Sequence, residues 1–182
     1  MVSFVPPTRA GACFLAAFSF ALASTASLAE TTKPADPKPV KEEGGRYFDV
    51  AGAPTYSIKP DGQVDWLTYS GYRRYHAECH VCHGPDGMGS TYAPSLVDSL
   101  KTMNFDQFSE VVVGGRQNLG GGNDRVMPSF GLNKNVMCYL DDLYVYLKAR
   151  ADGALGRERP SKREDKTKAY TANENQCFGR PS

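Results

Sequence analysis

The sequence lacks a surplus of charge of either sign. Its 182 residues include 21 lysines and arginines against 20 aspartates and glutamates. Proteins that bind nucleic acids usually carry a basic surface, so this composition gives no support to that class. The acidic residues are scattered and form no loop with ligand spacing, which argues against a calcium site. Long apolar runs are also missing after residue 29, so the remaining chain is not predicted to span a membrane.

The first 29 residues have the organisation of an export signal. Arg9 precedes a mainly apolar stretch, residues 10–23, that is too short to cross a bilayer. The small residues Ser27 and Ala29 predict cleavage after Ala29 and a mature protein in the periplasm. An uncleaved anchor is the alternative, and a lipoprotein site at Cys13 is disfavoured because most of the apolar stretch follows it. The mature chain would carry 20 positive and 20 negative side chains.

A single C-x-x-C-H run occupies residues 79–83 and predicts covalent attachment of one haem c. Cys79 and Cys82 lie three positions apart, so both thiols can form thioether bonds with the vinyl groups of one haem. His83 follows directly and would supply the proximal nitrogen ligand of the iron. A thioredoxin-like redox pair and half of a zinc site are the alternatives. The first needs no trailing histidine, and the second usually requires another closely spaced pair, which the chain lacks.

Met127 is predicted to be the second axial ligand of the iron. It follows His83 by 44 residues in a glycine-rich segment, and Pro128 stiffens the chain beside its sulfur. A methionine ligand raises the reduction potential of a haem. Arg116 and Arg125 flank the glycine-rich segment and are candidates to neutralise the haem propionates. Solvated surface charge is the alternative reading of both arginines.

Other possible axial ligands fit less well. Met88 lies too close to the proximal histidine to reach the opposite face of a haem. Met103 precedes a predicted helix and is a weaker competitor, and Met137 is interpreted as a core residue. His76 and His80 are too close to the attachment run.

The remaining cysteines, Cys138 and Cys177, are predicted to form a disulfide. Cys13 leaves with the signal, and an exported compartment is oxidising, so a bridge is the default expectation for the remaining pair. It would close a loop of about 40 residues and stabilise the fold by roughly 4 kcal/mol. Two free thiols, or pairing with another chain, are the alternatives.

Composition divides the mature chain into four parts. Residues 30–45 are rich in Pro, Lys, Glu and Gly and are predicted to be a disordered leader. Residues 46–66 predict a small β-hairpin with a turn at 59–62. Residues 67–150 are the predicted haem domain. Residues 151–182 are a polar tail that only Cys177 is expected to hold against the body.

Within the haem domain, apolar residues at three- and four-residue spacing predict three helices. These helices cover residues 66–82, 105–113 and 133–149. Residues 117–124 contain three consecutive glycines and are predicted to be flexible backbone that leads to Met127.

These features together resemble the class I cytochromes c over roughly residues 67–150. That family has a glycine eight residues before the first haem cysteine and an aromatic residue four before it, here Gly71 and Tyr75. Its last helix usually carries a Leu-x-x-Tyr-Leu type run, which residues 143–147 match. The resemblance implies a mainly α fold around one covalent haem, with the β-hairpin and the disulfide-tethered tail as additions. It also implies a proline carbonyl bonded to the proximal histidine, and Pro94 is the candidate.

A narrower resemblance is to the methanol-metabolism-related c-type cytochromes, including the partner cytochrome of lanthanide-dependent methanol dehydrogenases. It rests on residues 126–130, on residues 146–156 and on the two extra cysteines. The resemblance implies an electron carrier, not an enzyme, that takes electrons from a quinoprotein methanol or alcohol dehydrogenase. Its acceptor would be another cytochrome or a terminal oxidase. The alternatives are a haem subunit of a larger dehydrogenase complex, and a haem enzyme or gas sensor with a displaceable sixth ligand.

Overall fold

The computed structural model describes Met1, residues 37–119 and residues 125–181. Helices predominate, as the sequence predicts, beside two small antiparallel sheets. The strands are β1 (Lys41–Glu43), β2 (Arg46–Phe48), β3 (Pro54–Thr55), β4 (Arg116–Asn118) and β5 (Arg125–Met127). The helices are α1 (Trp66–Glu78), α2 (His80–His83), α3 (Leu96–Ser99), α4 (Phe105–Gly114), α5 (Lys134–Met137), α6 (Leu140–Ala151) and α7 (Lys168–Phe178).

Three of the predictions fall wholly or partly outside these residues. They are the export signal apart from Met1, residues 30–36 of the leader and residues 120–124 of the glycine-rich segment. Within the described ranges, no helix is both long and apolar enough to cross a membrane.

Helices α1 and α6 cross at Gly71 and form the centre of the fold. A Cβ atom at Gly71 would overlap the carbonyl oxygen of Asp142 and lie 2.7 Å from the Cβ of Tyr146. The two backbones therefore approach more closely than any side chain would allow. The crossing thus lies at the glycine that the family resemblance singles out.

Helix α6 is buried on all sides, because residues 142–150 are all shielded from solvent. The larger apolar cluster around it has nine buried members: Tyr75, Leu100, Phe108, Val112, Val136, Leu143, Tyr144, Tyr146 and Leu147. A smaller cluster on α6 joins Val145 to Leu67 and Tyr170. A helix of a small protein usually keeps a polar, solvated face. Here the segments before α1 and after α6 cover that face.

Strands β1 to β3 form a three-stranded sheet ahead of the haem domain. Gly44 and Gly45 join β1 to β2 at φ values of +63° and +83°, between the paired residues Glu43 and Arg46. A two-residue turn with positive φ at both positions matches the twist of a hairpin, and glycine adopts it without strain. The prediction of disorder through Gly45 therefore does not hold for residues 41–45.

The predicted hairpin at 46–66 is present only near its turn. The turn predicted at 59–62 forms, but the flanking strands are reduced to one bridge between Ile58 and Val64. Val64 also forms a parallel bridge with Arg163, and Asp65 caps the start of α1. Because Val64 pairs with Arg163 and Asp65 caps α1, the hairpin does not extend beyond this bridge.

The C-terminal segment, residues 152–181, packs against the rest of the fold and is not merely a polar tail; we call it the arm. Tyr170 of α7 is only 3% exposed and packs with Leu67 and Val145. The disulfide between Cys138 and Cys177 is present, with the two Cα atoms 5.7 Å apart, so the predicted pairing is confirmed. The arm is thus held by side-chain packing as well as by the bridge.

The predicted helix at 133–149 is divided into α5 and α6. The break falls at Tyr139, whose φ of −130° and ψ of 24° are not helical. Its ring lies under the guanidinium of Arg74 at 3.5 Å, and its hydroxyl donates to Glu174 at 2.6 Å. Both contacts hold Tyr139 at the junction, which a uniform apolar stripe does not reveal.

Candidate haem site

The attachment run lies on a single helical turn that follows α1. The N–H of Cys79 still donates to Tyr75 of α1 at 2.9 Å, and the N–H of His83 donates to the Cys79 carbonyl at 3.0 Å. Cys79 is half-buried and Cys82 exposed, and neither is in a disulfide. Burial raises the pKa of the Cys79 thiol to about 12, so this thiol is neutral at pH 7. The run therefore offers two thiols with the imidazole of His83 directly after the second.

The imidazole of His83 is buried and fixed by one hydrogen bond. Its Nδ1 lies 2.9 Å from the carbonyl oxygen of Pro94. A carbonyl can only accept, so Nδ1 carries the proton and Nε2 keeps its lone pair. This is the tautomer that a metal ligand requires. The carbonyl of Pro94, the residue singled out in the sequence, therefore occupies the position that such a role demands.

A glycine-rich loop holds the Pro94 carbonyl opposite His83. The N–H of Gly89 donates to the carbonyl of His83 at 2.9 Å, and the carbonyl of Gly87 accepts from Leu96 at 2.8 Å. A Cβ on Gly89 would lie 2.7 Å from the nitrogen of Ser95, and its φ is +87°. A larger residue there would push the two ends of the loop apart.

Charged side chains from the end of α6 and from the arm fasten the same loop. Asp86 is 5% exposed, and its carboxylate is ion-paired with Arg157. The buried Arg150 donates to the main-chain oxygen of Asp86 from Nε and Nη2, both at 3.3 Å, and to the carbonyl of Leu155 at 2.8 Å. Sequence reasoning missed this network, because 71 positions separate Asp86 from Arg157.

Met127 ends strand β5 and so does not lie in a flexible loop, which corrects that part of the prediction. β4 and β5 pair with Arg116 opposite Met127 and Asn118 opposite Arg125. A two-stranded ladder fixes the direction of the backbone at the methionine, because pairing partners are set by register. The methionine is therefore carried by regular structure on both sides of the glycine run.

The segment after Met127 completes the end of α4. The last carbonyls of a helix have no partner within it. Here the Val113 carbonyl accepts from Ser129 Oγ at 2.5 Å, and the Val112 carbonyl accepts from Phe130 N at 3.0 Å. Gly115 makes the approach possible: a Cβ there would lie 2.6 Å from the Met127 oxygen. Gly115 and Ser129 are therefore positioning residues that the sequence analysis does not identify.

The structure brings some predicted site residues together and separates others. Cys79 and Met127 both pack against the larger apolar cluster, and so does Met103. Met137 is absent from that set among the described residues, and Met88 is exposed at 49%. Met103 therefore stays a geometric competitor of Met127, whereas Met88 does not.

The two other histidines, His76 before the run and His80 within it, are hydrogen-bonded to helix carbonyls. His76 Nδ1 lies 2.7 Å from the carbonyl of Tyr72, and His80 Nδ1 lies 2.5 Å from the carbonyl of His76. The ring of His76 also packs on Tyr72 at 4.2 Å between centroids. Both imidazoles are therefore engaged by the backbone of α1.

The donor set fits a covalent haem. Two unpaired thiols lie three positions apart, and His83 is held as the ligating tautomer. Val81 lies within the attachment run and is 76% exposed. Arg116 on β4 is exposed as well, so its charge is free to meet an anionic group.

Comparisons with known proteins give a consistent set of relatives, although no family model matches the chain. Cytochrome c-553I of Paracoccus denitrificans is 53% identical over 143 residues, which are 79% of this chain and 63% of that protein. Cytochrome c-555 of Methylococcus capsulatus is 42% identical over 107 residues, 58% of this chain and 77% of that protein. The chain thus spans less than two thirds of the Paracoccus relative.

Among solved structures, the chain is similar to the c-type cytochrome XoxG from Methylobacterium extorquens AM1. The sequences are 55% identical, and the TM-score is 0.73. The match covers 82% of this chain and 94% of the solved one. At this identity, the similarity extends to sequence as well as fold.

Proposed function

This chain belongs to the c-type cytochromes, and on that premise we propose that it carries electrons from a quinoprotein methanol or alcohol dehydrogenase in the periplasm. It is an electron carrier and not an enzyme. The sequence-based identification as a c-type cytochrome similar to the methanol-related members is confirmed by the match to XoxG. The donor, the compartment and an acceptor that is another cytochrome or a terminal oxidase are proposed from that resemblance.

One haem c is proposed to be held by Cys79, Cys82 and His83. Bound haem supplies an iron that alternates between the ferric and ferrous states. The two cysteines would fix the macrocycle by thioether bonds, and His83 would present Nε2 to the iron. The hydrogen bond from His83 Nδ1 to Pro94 carries this proposal, because it sets the ring orientation and strengthens the imidazole as a ligand.

Met127 is proposed as the ligand on the other side of the iron. Its backbone is held by β4 and by the end of α4, so its sulfur needs little rearrangement when the iron changes charge. A pre-organised ligand of this kind suits an electron carrier, which gains from similar structures in both redox states. Arg116, opposite Met127 in the ladder, and Arg125 are proposed to lie near the propionates.

Mixing the purified ferric protein with a methanol dehydrogenase tests the donor. An active lanthanide-dependent enzyme from the same cells is supplied with methanol, and haem reduction is followed by absorbance. Rapid and saturable reduction is expected. A ferric haem beside a demonstrably active enzyme would contradict the proposed donor and leave the c-type cytochrome assignment in place.

Replacement of the two competing methionines tests the axial ligand. Met127→Leu should open the sixth site, so that the ferrous protein binds carbon monoxide and the reduction potential falls. Met103→Leu also removes a thioether sulfur from the same apolar cluster, and it should change neither property. If Met103→Leu opened the sixth site and Met127→Leu changed neither property, Met103 would be the axial ligand.

A further inference from the structure

An open cavity of about 660 Å³ lies between the start of α1 and the C-terminal arm. Its lining includes Tyr69 from α1 and three cations from the arm: Arg159, Lys162 and Arg163. No carboxylate contributes to this lining. We name this feature the arginine cavity.

Two of the three cations lack a counter-charge. Lys162 is paired with Asp61 at 3.2 Å. Arg159 and Arg163 form no ion pair with any carboxylate in the part of the chain that the structure describes. Two guanidinium groups near one ring repel each other, and an anion between or beside them would relieve this repulsion.

Aromatic side chains hold both arginines in place. Arg159 Nη2 donates to the Tyr69 hydroxyl at 2.8 Å. The guanidinium of Arg163 lies 4.8 Å from the Tyr69 ring centre and 5.2 Å from that of Trp66. A guanidinium stacked on a ring keeps its N–H groups in its own plane, where they can bind a carboxylate in a bidentate manner.

The electrostatics of the cavity favour a negative charge. The hydrogen bond from Arg159, together with Arg163, lowers the pKa of the Tyr69 hydroxyl below its usual value. Among the other cations of the arm, Arg157 pairs with Asp86 and Lys166 pairs with Glu174, whereas Lys168 and Arg180 form no ion pair in the described part of the chain. Arg159 and Arg163 differ from Lys168 and Arg180 because both contact the same side chain, Tyr69.

We propose that the arginine cavity binds an acidic segment of a protein partner through its glutamate or aspartate carboxylates. Tyr69 precedes Cys79 by ten residues, which corresponds to about 15 Å along a helix. A typical interface buries about 800 Å² on each partner, an area roughly 30 Å across. An interface of that width therefore exceeds the spacing along the helix between Tyr69 and the attachment run that follows α1.

The indole of Trp66 provides a direct probe, since it is the chain's single tryptophan and Arg163 stacks on it. The reduced holoprotein is titrated with an octamer of glutamate at low ionic strength, and the Trp66 Nε1–H signal is followed by NMR. A saturable shift that weakens with added salt is expected. An octamer of lysine should produce none.

Charge-removing variants assign the binding to the cavity. The double variant Arg159→Gln, Arg163→Gln should bind the glutamate octamer at least tenfold more weakly. Arg73→Gln removes a positive charge from an exposed position on the same helix and should bind like the wild type. Equal weakening in both variants, or no binding by the wild type, would overturn the proposal.

Inorganic phosphate separates a peptide site from a small-anion site. Saturation by phosphate at lower concentration than by the glutamate octamer would overturn the assignment to a protein segment. The reduction potential of the double variant should match the wild type, because the cavity contains none of the proposed haem ligands. A negative result at the cavity would thus leave the electron-carrier assignment untouched.

Discussion

The two sides of helix α6 are covered in different ways. On the side of the attachment run, the buried surface is apolar and aromatic, with Tyr75 packed on Tyr146 at 5.5 Å between ring centres. On the other side, Tyr170 of the arm donates to the buried Asp142, and Ser70 of α1 lies 3.3 Å from the Tyr170 hydroxyl. Apolar packing predominates on the first side, whereas the second adds a buried carboxylate that is hydrogen-bonded to the arm.

The two sides of α6 contribute differently to the fold. Apolar burial supplies most of the stability, and directed hydrogen bonds fix the positions of the added segments. Apolar burial contributes about 25 cal/mol per Å² and tolerates small shifts. A buried hydrogen bond contributes only about 1 kcal/mol net, but leaving one partner unsatisfied costs more than that. The polar side of α6 therefore fixes where the N-terminal sheet and the arm lie. Arg46, which pairs with Asp141 at 2.7 Å, does the same for β2.

Removing the disulfide should have the largest effect on the polar side. Cys138→Ala with Cys177→Ala opens a loop with a sequence separation of 39 residues, and we expect a loss of about 4 kcal/mol in unfolding free energy. Guanidinium unfolding of the holoprotein measures the loss. The haem spectrum should not change, because neither cysteine belongs to the site. An altered spectrum would show that the arm and the haem side are not separable.

Filling the helix crossing should damage both sides at once. Gly71→Ala places a methyl group on the carbonyl of Asp142, and we expect a loss of about 3 kcal/mol, at the upper end of overpacking costs. Gly156→Ala is the matched control, since nothing lies within 4 Å of a Cβ there. Equal stability of the two variants in the same unfolding assay would contradict the close crossing.

Deleting one hydroxyl should affect the polar side alone. Tyr170→Phe keeps the ring but leaves the buried Asp142 without that donor, at an expected cost of about 2 kcal/mol. Tyr92→Phe removes a hydroxyl from a residue that is 76% exposed and should cost nothing measurable. Similar losses in both variants would count against the buried contact.

The pH dependence of stability should distinguish Asp142 from a solvated carboxylate. Burial raises its pKa from 3.8 to about 7. The folded state then binds more protons than the unfolded state between these values, so this group lowers stability as pH rises from about 4 to about 7. Asp142→Asn should remove that decline, measured as the difference from wild type at pH 4.5 and pH 7.5. An unchanged difference would indicate an ordinary pKa.

Sequence reasoning performed best where a local period or a contiguous run carries the information. The predicted helix at 105–113 differs from α4 by a single residue at its end. The attachment run and the pairing of the two remaining cysteines needed only identity and spacing. In each case the signal lies within one element or in a short list of residue types.

Most of the misses depend on contacts outside a single element. Met127 ends a strand because β5 pairs with β4, which composition alone does not indicate. Composition also gave no sign that Tyr170 would be buried beneath α6, since a single tyrosine in a polar segment has no period. The Gly44–Gly45 turn is the exception, because its signal was local and was overlooked beside a Pro- and Lys-rich leader.

The four cysteines after the predicted signal impose an order on covalent assembly. Four thiols allow three complete pairings, and the one that joins Cys138 to Cys177 would also oxidise Cys79 with Cys82. Here Cys138 and Cys177 are bonded, whereas Cys79 and Cys82 are not. In an oxidising compartment, thioether formation competes with oxidation of the adjacent pair. The cell must therefore reduce one pair of thiols and oxidise the other on the same polypeptide. Folding assists this sorting, because the approach of α7 to α5 brings the correct distant partners together.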